Sequence, residues 1–230
     1  MCVLEIVVSL SYLKQQFMNG IVVGLIVANV VFSYKGITEP SFLNTYKFQI
    51  AAILRGERMR MLSSGFLHVD YLHLGFNMYA LYLFASPVLG TLGNVPFLIL
   101  YFGSLLLGNV FTLFYHKKES YYSAVGASGA VSGIVYSAIV LYPEMTLYLF
   151  PLPVPIPGYL FGIGYLLYSM YGMKKQLGSV GHSAHLGGAV GGFFITILLY
   201  PQVLVAHKTL IILLAVPILL LFLFGKKSKQ

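Results

Sequence analysis

Charge is what this chain has least of. Six carboxylates, Glu5, Glu39, Glu57, Asp70, Glu119 and Glu144, are all it carries in 230 residues, and charged residues of both signs make up 9%. Against 58% hydrophobic residues, that leaves too little polar surface to cover a soluble core, which excludes an ordinary soluble domain. Cysteine occurs once, at Cys2, so neither an intrachain disulfide nor a thiolate metal cluster is available. Aspartate also occurs once, at Asp70, and no His-Glu-x-x-His run is found, which excludes an aspartyl pair and that zinc-hydrolase motif. Tryptophan is absent.

What is present is a series of apolar runs near twenty residues long, with a mean hydropathy of +0.85. The alternating ten-residue pattern of a membrane barrel is missing, so the reading is an all-α, polytopic membrane helical bundle. No internal repeat supports a paired-repeat transporter, and the spans lack the embedded charges expected of a transporter or channel. The net charge of +8 belongs with loops beside lipid headgroups. No basic patch interleaved with surface aromatics points to nucleic acid.

Taken in order, residues 1–16 read as an interfacial lead-in, since Glu5 in the apolar run and no basic residue before Lys14 fit a cleavable signal peptide poorly. Spans are expected at about residues 20–34, 68–88, 96–115, 128–141, 158–171, 183–200 and 209–225, the last before a Lys226-Lys227-Ser228-Lys229 tail. Residues 36–67 mix charged and apolar groups and read as a partly submerged amphipathic loop. Pro151, Pro153, Pro155 and Pro157 alternate with apolar residues, which blocks helix and favours an extended loop.

The fourth span is the informative one. It opens on Gly126-Ala127-Ser128-Gly129-Ala130-Val131-Ser132-Gly133 and, as a helix from Ser128 to Leu141, rises only about 20 Å against a hydrocarbon core of about 30 Å. Ser128 then lies below the membrane surface, where non-helical backbone is tolerated only inside protein or beside water. His73 and Asn77 lie four apart on one face of the second span. In the sixth, His185, Gly188 and Gly192 form one stripe, and Gly129 and Gly133 answer it on the fourth. Small residues so placed bring His185 beside Ser128. A hydroxyl nucleophile, an imidazole base and donors for an oxyanion are the requirements of serine acyl transfer. The donors are the Ser128 amide at the helix N-terminus, with His73 and Asn77. No carboxylate falls in the fourth or sixth span, so the expected arrangement is a dyad. His68 reads as interfacial, His116 and His182 as loop residues, and Ser132 as a packing or hydrogen-bonding group. Each residue alone has a structural explanation; their joint occurrence on three spans favours chemistry.

At these residues the chain resembles the rhomboid family of intramembrane serine proteases. The resemblance covers roughly residues 17–200: Arg60, the phrase from Phe66-Leu67-His68 through Leu72-His73 to Phe76-Asn77, the Gly126-Ala127-Ser128-Gly129 box, the 151–157 loop, and Ala184-His185-x-x-Gly188-x-x-x-Gly192. It implies a six-helix rhomboid-like core at residues 17–200, with one added C-terminal transmembrane helix and basic tail at 201–230. It also implies Ser128 as nucleophile, His185 as general base and acid, and His73, Asn77 and the Ser128 amide at the oxyanion, with Gly126, Gly129, Gly188 and Gly192 supporting them. Neither cofactor nor metal is implied. The expected partners are transmembrane protein substrates and the lipid bilayer, and the expected location is multi-pass in the cell (plasma) membrane. The alternative is a non-catalytic rhomboid-like protein that binds membrane helices. The chain departs from the family pattern at Met59-Arg60, where members often carry Trp-Arg, and at Ser132, where many carry an aromatic that stacks on the catalytic histidine. The family's orientation, N-terminus inside, faces most of the lysines and arginines outward, the reverse of the positive-inside preference.

Overall fold

The computed structural model describes residues 19–148, 154–175 and 181–224. The lead-in at 1–16, the first half of the proline-rich loop and the lysine tail therefore lie outside the described residues. The helices that build the bundle are α1 (Gly20–Thr38), α5 (Tyr71–Leu92), α6 (Asn94–His116), α7 (Ser128–Leu141), α8 (Gly158–Lys175), α9 (His182–Leu199) and α11 (Lys208–Phe224). Among the described residues, α1, α5, α6 and α9 are each long and apolar enough to cross a membrane, while α7 and α11 are apolar but shorter. Large apolar side chains such as Val27, Val31, Phe76, Tyr79, Phe114 and Leu198 point outward. An exposed apolar belt of this kind is the solution for a bundle surrounded by lipid. The protein is an integral, multi-pass, all-α membrane protein.

Each helix start has a local cause. Asn19 caps α1 by accepting the Ile21 N–H at 3.0 Å, and Asp70 caps α5 by accepting the His73 N–H at 2.7 Å. Gly93, with φ at +79°, makes the sharp reversal between α5 and α6. The buried stripe of α1, Val22, Leu25, Asn29, Ser33 and Gly36, keeps helical spacing and turns inward. At the centre stands α7, in which every residue from Gly129 to Leu141 is buried. Its 14 residues start and end where the sequence placed them. At 1.5 Å per residue that is about 20 Å of rise, so the helix begins inside the bundle.

The 36–67 interval folds rather than trailing as a loop. It contains α2 (Pro40–Tyr46), β1 (Phe48–Gln49), α3 (Ile50–Leu54), α4 (Arg60–Ser63) and a 3-10 turn at Ser64–Phe66. Phe48, Ile50 and Ile53 form a small core of their own, packed by Met61, Leu113, Tyr122 and Ala124. There β1 pairs antiparallel with β2 (Ser123–Ala124), Phe48 opposite Ala124. Arg60 ties the interval together: Nη1 donates to the carbonyls of Asn44 (2.9 Å) and Lys47 (3.0 Å), and Nε to Glu57 Oε2 (2.7 Å). His116 is a correction to its reading as a loop residue. It ends α6, lies buried with its ring stacked on Tyr122 at 3.7 Å, and pairs with Glu119 at 2.9 Å. In the proline-rich stretch, β4 (Pro155–Pro157) is extended and pairs antiparallel with β3 (Thr146–Tyr148), because proline fixes an extended φ that a short edge strand accepts. The helix α10 (Val203–Ala206) links α9 to α11.

What positions the site is the contact of α9 with α6 and α7. A methyl group at Gly188 would overlap the Gly129 carbonyl, and one at Gly192 the Gly133 backbone. On the other side, a Cβ at Gly108 of α6 would lie 2.6 Å from the Ala184 carbonyl oxygen. Backbones meet directly here because no side chain stands between them, the packing mode that membrane helices use where the hydrophobic effect gives no drive to associate.

Candidate active site

Ser128 is the first residue of α7. The first intrahelical bond runs from the Val131 N–H to the Ala127 carbonyl at 2.9 Å, so the Ser128 amide precedes the ladder and sits at the positive end of the helix dipole. The chain enters through Gly126, whose φ of +134° only glycine adopts without strain. A Cβ at Gly126 would also stand 2.9 Å from His73 Cε1, 3.0 Å from His73 Nε2 and 3.5 Å from Ser128 Oγ. The His73 ring and the Ser128 hydroxyl thus flank the same bare point on the backbone. While the rest of α7 is buried, Ser128, His73 and His185 are each only partly covered.

The entry loop is held from behind. Gly126 N–H donates to the Ser64 carbonyl at 3.0 Å, and Ala127 N–H donates to His68 Nε2 at 3.3 Å. With Nε2 accepting, the proton of His68 is on Nδ1 and is donated to Ser33 Oγ at 2.7 Å; Ser33 in turn donates to the Phe66 carbonyl at 3.0 Å. His68 is fully buried, and its edge meets the His73 ring at 4.9 Å, which corrects its reading as an interfacial residue. Burial, and then the neighbouring His73, push its pKa down to about 3, against an opposing pull from Asp70, so the ring is neutral. The sequence signal for this role was the inward polar stripe of Asn29 and Ser33 on α1.

On α5, Asn77 lies beneath His73 and its amide donates to the His73 carbonyl at 3.0 Å, leaving one amide hydrogen for another acceptor. On α9, His185 is one turn before Gly188, and the Ala184 carbonyl oxygen lies 3.4 Å from where a Gly129 Cβ would be. The Ser128-Gly129 and Ala184-His185 turns are therefore in backbone contact. No hydrogen bond joins Ser128 Oγ to the His185 ring among the described residues.

Two residues near His185, His182 and Tyr165, were missed or misread from sequence, while Ser132 is the hydrogen-bonding group expected of it. His182 is the first residue of α9, buried against Gly172, with its ring 6.4 Å from that of His185, and is not a loop residue. Tyr165 of α8 stacks on His185 at 6.2 Å with 14° between the planes. Its hydroxyl lies 2.6 Å from Ser132 Oγ, one turn along α7 from Ser128. An aromatic in an apolar span carries no sequence mark that separates a ring facing a site from one facing lipid.

Residues 55–202 match the Rhomboid domain. The chain is 30% identical over 188 residues to "RHOMBOID-like protein 12, mitochondrial" of Arabidopsis thaliana, covering 74% of this chain and 56% of that protein. It is 32% identical over 138 residues to "Rhomboid protein 1, mitochondrial" of Saccharomyces cerevisiae, covering 59% and 40%. To "Presenilin-associated rhomboid-like protein, mitochondrial" of Mus musculus it is 31% identical over 141 residues, covering 58% and 36%. The chain thus spans about half the length of the curated relatives it matches. All three relatives are named mitochondrial, which gives the expected plasma membrane no support.

Proposed function

The chain belongs to the rhomboid family, which includes intramembrane serine proteases, and on that premise we propose that it hydrolyses peptide bonds in transmembrane protein substrates through Ser128 and His185. The observation that carries the reading is the backbone contact of Gly129 with Gly188 and of Gly133 with Gly192, which sets the Ser128 turn against the His185 turn. In this mechanism Ser128 Oγ attacks the substrate carbonyl carbon while His185 accepts its proton. The oxygen of the tetrahedral adduct takes the charge and is met by the Ser128 N–H, His73 and the free Asn77 amide hydrogen. His185 then protonates the leaving amine, an acyl-Ser128 remains, and water, activated by the same imidazole, releases the acid. The partly covered corner at Ser128 is the route by which water arrives. A substrate helix must unwind locally, because a fully paired helix offers no free carbonyl.

The same reading assigns the six-helix protease core to residues 17–200 and treats 201–230 as an added helix and tail. Its test is cleavage of a transmembrane reporter in detergent or liposomes together with labelling by a fluorophosphonate. Ser128→Ala and His185→Ala are expected to abolish cleavage without unfolding the protein, and Ser128→Ala to abolish labelling. Full cleavage in either variant refutes the assignment. A wild-type chain that binds membrane helices but neither cleaves nor labels favours the non-catalytic helix-binding alternative.

A further inference from the structure

The dyad reading leaves one question of geometry: what holds the His185 ring in a fixed plane. No carboxylate lies on α7 or α9, so the usual acidic partner of a catalytic histidine is missing from both elements. The glycine contacts fix the backbone of α9, yet they leave the imidazole free to turn about its own bonds. Tyr165 covers one face of that ring almost in parallel, 6.2 Å between centroids and 14° between planes. The tyrosine is restrained in turn. Its hydroxyl is bound to Ser132 Oγ at 2.6 Å, and Phe161, one turn earlier on α8, stacks on its ring at 5.9 Å and 25°. Ser132 is itself buried on the central helix, one turn beyond Ser128.

We infer that Tyr165, clamped to α7 by Ser132, is the positioning residue that holds the plane of the His185 imidazole for proton transfer with Ser128. The inference rests on the proposed dyad. One short helix then sets both partners: Ser128 directly, and His185 through Ser132 and Tyr165. Any tilt of α8 relative to α7 is transmitted to the base and not to the nucleophile. Acting through the His185 ring, Tyr165 is expected to affect the rate of the chemical step and not substrate binding.

The test uses the full-length chain in detergent, with fluorophosphonate labelling of Ser128 and reporter cleavage as paired readouts, for Tyr165→Leu, Tyr165→Phe, Ser132→Ala and the Tyr165→Phe/Ser132→Ala double variant. Tyr165→Leu, which removes the stacked face, is expected to slow labelling and kcat by roughly tenfold with KM unchanged, an aromatic contact being worth about that much. Tyr165→Phe keeps the face and recovers most of the rate. Ser132→Ala and Tyr165→Phe remove the two ends of one hydrogen bond, so the double variant should be no slower than the worse single one. Labelling of Tyr165→Leu at the wild-type rate overturns the inference and leaves the dyad standing; so does a loss that appears in KM instead of kcat. If Tyr165→Leu does not fold, additive losses in the double variant overturn it. Absence of Ser128 labelling in the wild-type chain overturns the dyad itself.

Discussion

Gly188 on α9 meets the Gly129 peptide on α7 with no room for one carbon atom between them. Neither side can yield cheaply, because both are backbone inside regular helices. Gly188→Ala is therefore expected to destabilise the fold by at least about 1–3 kcal/mol through overpacking, and to abolish cleavage by moving the Ser128 turn off the His185 turn. Gly24→Ala is the control, since nothing lies within 4 Å of a Cβ there. That variant should fold at least as well as wild type, alanine being favoured over glycine in a helix by roughly 1 kcal/mol. Thermal unfolding and reporter cleavage of the two variants, side by side, check both statements. Equal stability of Gly188→Ala and wild type would contradict the packing.

Asn77 offers a prediction that separates binding from chemistry. Its amide gives one hydrogen to the His73 carbonyl and has one left for an oxyanion. Asn77→Ala is expected to lower kcat by about tenfold to a thousandfold, the range seen when one oxyanion donor is removed, with KM little changed. A rise in KM at constant kcat would mean that Asn77 contacts the substrate's ground state and is no oxyanion donor.

His68 makes the fold sensitive to acid. Its folded pKa, about 3, lies below the ordinary 6.5, so the unfolded chain binds the proton first as pH falls. The stability this neutral ring contributes is whole above pH 6.5 and is lost progressively between there and about 3, at roughly 1.4 kcal/mol per pH unit. In His68→Gln that slope should flatten, because the amide takes no proton, while Tm at pH 8 falls as the Ser33 and Ala127 contacts loosen. Melting curves from pH 8 to pH 4 decide it. An unchanged slope in His68→Gln would show that the acid sensitivity belongs to other groups.

How much of this could be read from sequence differs by element. The bounds of α7 were legible because a run of small residues opens it and Tyr142-Pro143 closes it, and no competing pattern overlaps. The glycine stripe on α9 was legible for a related reason: spacing of three and four between glycines has few uses in a membrane helix other than close packing. Tyr165 was not legible, since nothing in an apolar span ranks one tyrosine above the other seventeen in the chain. His68 was misread as interfacial and His182 as a loop residue because position near a span's end suggests exposure, whereas burial is decided by what folds over it. For His68 that cover is α1 and the 3-10 turn; for His182 it is Gly172 of α8, where the missing side chain makes space for the ring. The folded character of residues 36–67 was hidden as well, because its core is completed by Leu113 and Tyr122, remote in sequence.

That interval supplies the last prediction. Arg60 is nearly covered, its side chain 12% exposed, and it serves three acceptors: the carbonyls of Asn44 and Lys47, and Glu57. Losing a charge-assisted bond of this kind costs about 1.5–3 kcal/mol where the partner stays buried; of the three, only the Lys47 bond is part-buried, and the Asn44 and Glu57 bonds are exposed to water and contribute less. Arg60→Ala should thus lower stability by roughly 1–3 kcal/mol overall. Arg60→Lys should not restore it, because a single ammonium on a flexible stem cannot span two carbonyls and a carboxylate set by a planar fork. The loss should be local, since the Phe48-Ile50-Ile53 core is separate from the main one. Limited proteolysis is the measurement: cleavage between residues 40 and 63 should rise in both variants at a protease level that leaves wild type intact, while fluorophosphonate labelling of Ser128 persists. Labelling lost in step with cleavage of that interval would show instead that the 36–67 fold and the Ser64 support of Gly126 stand or fall together.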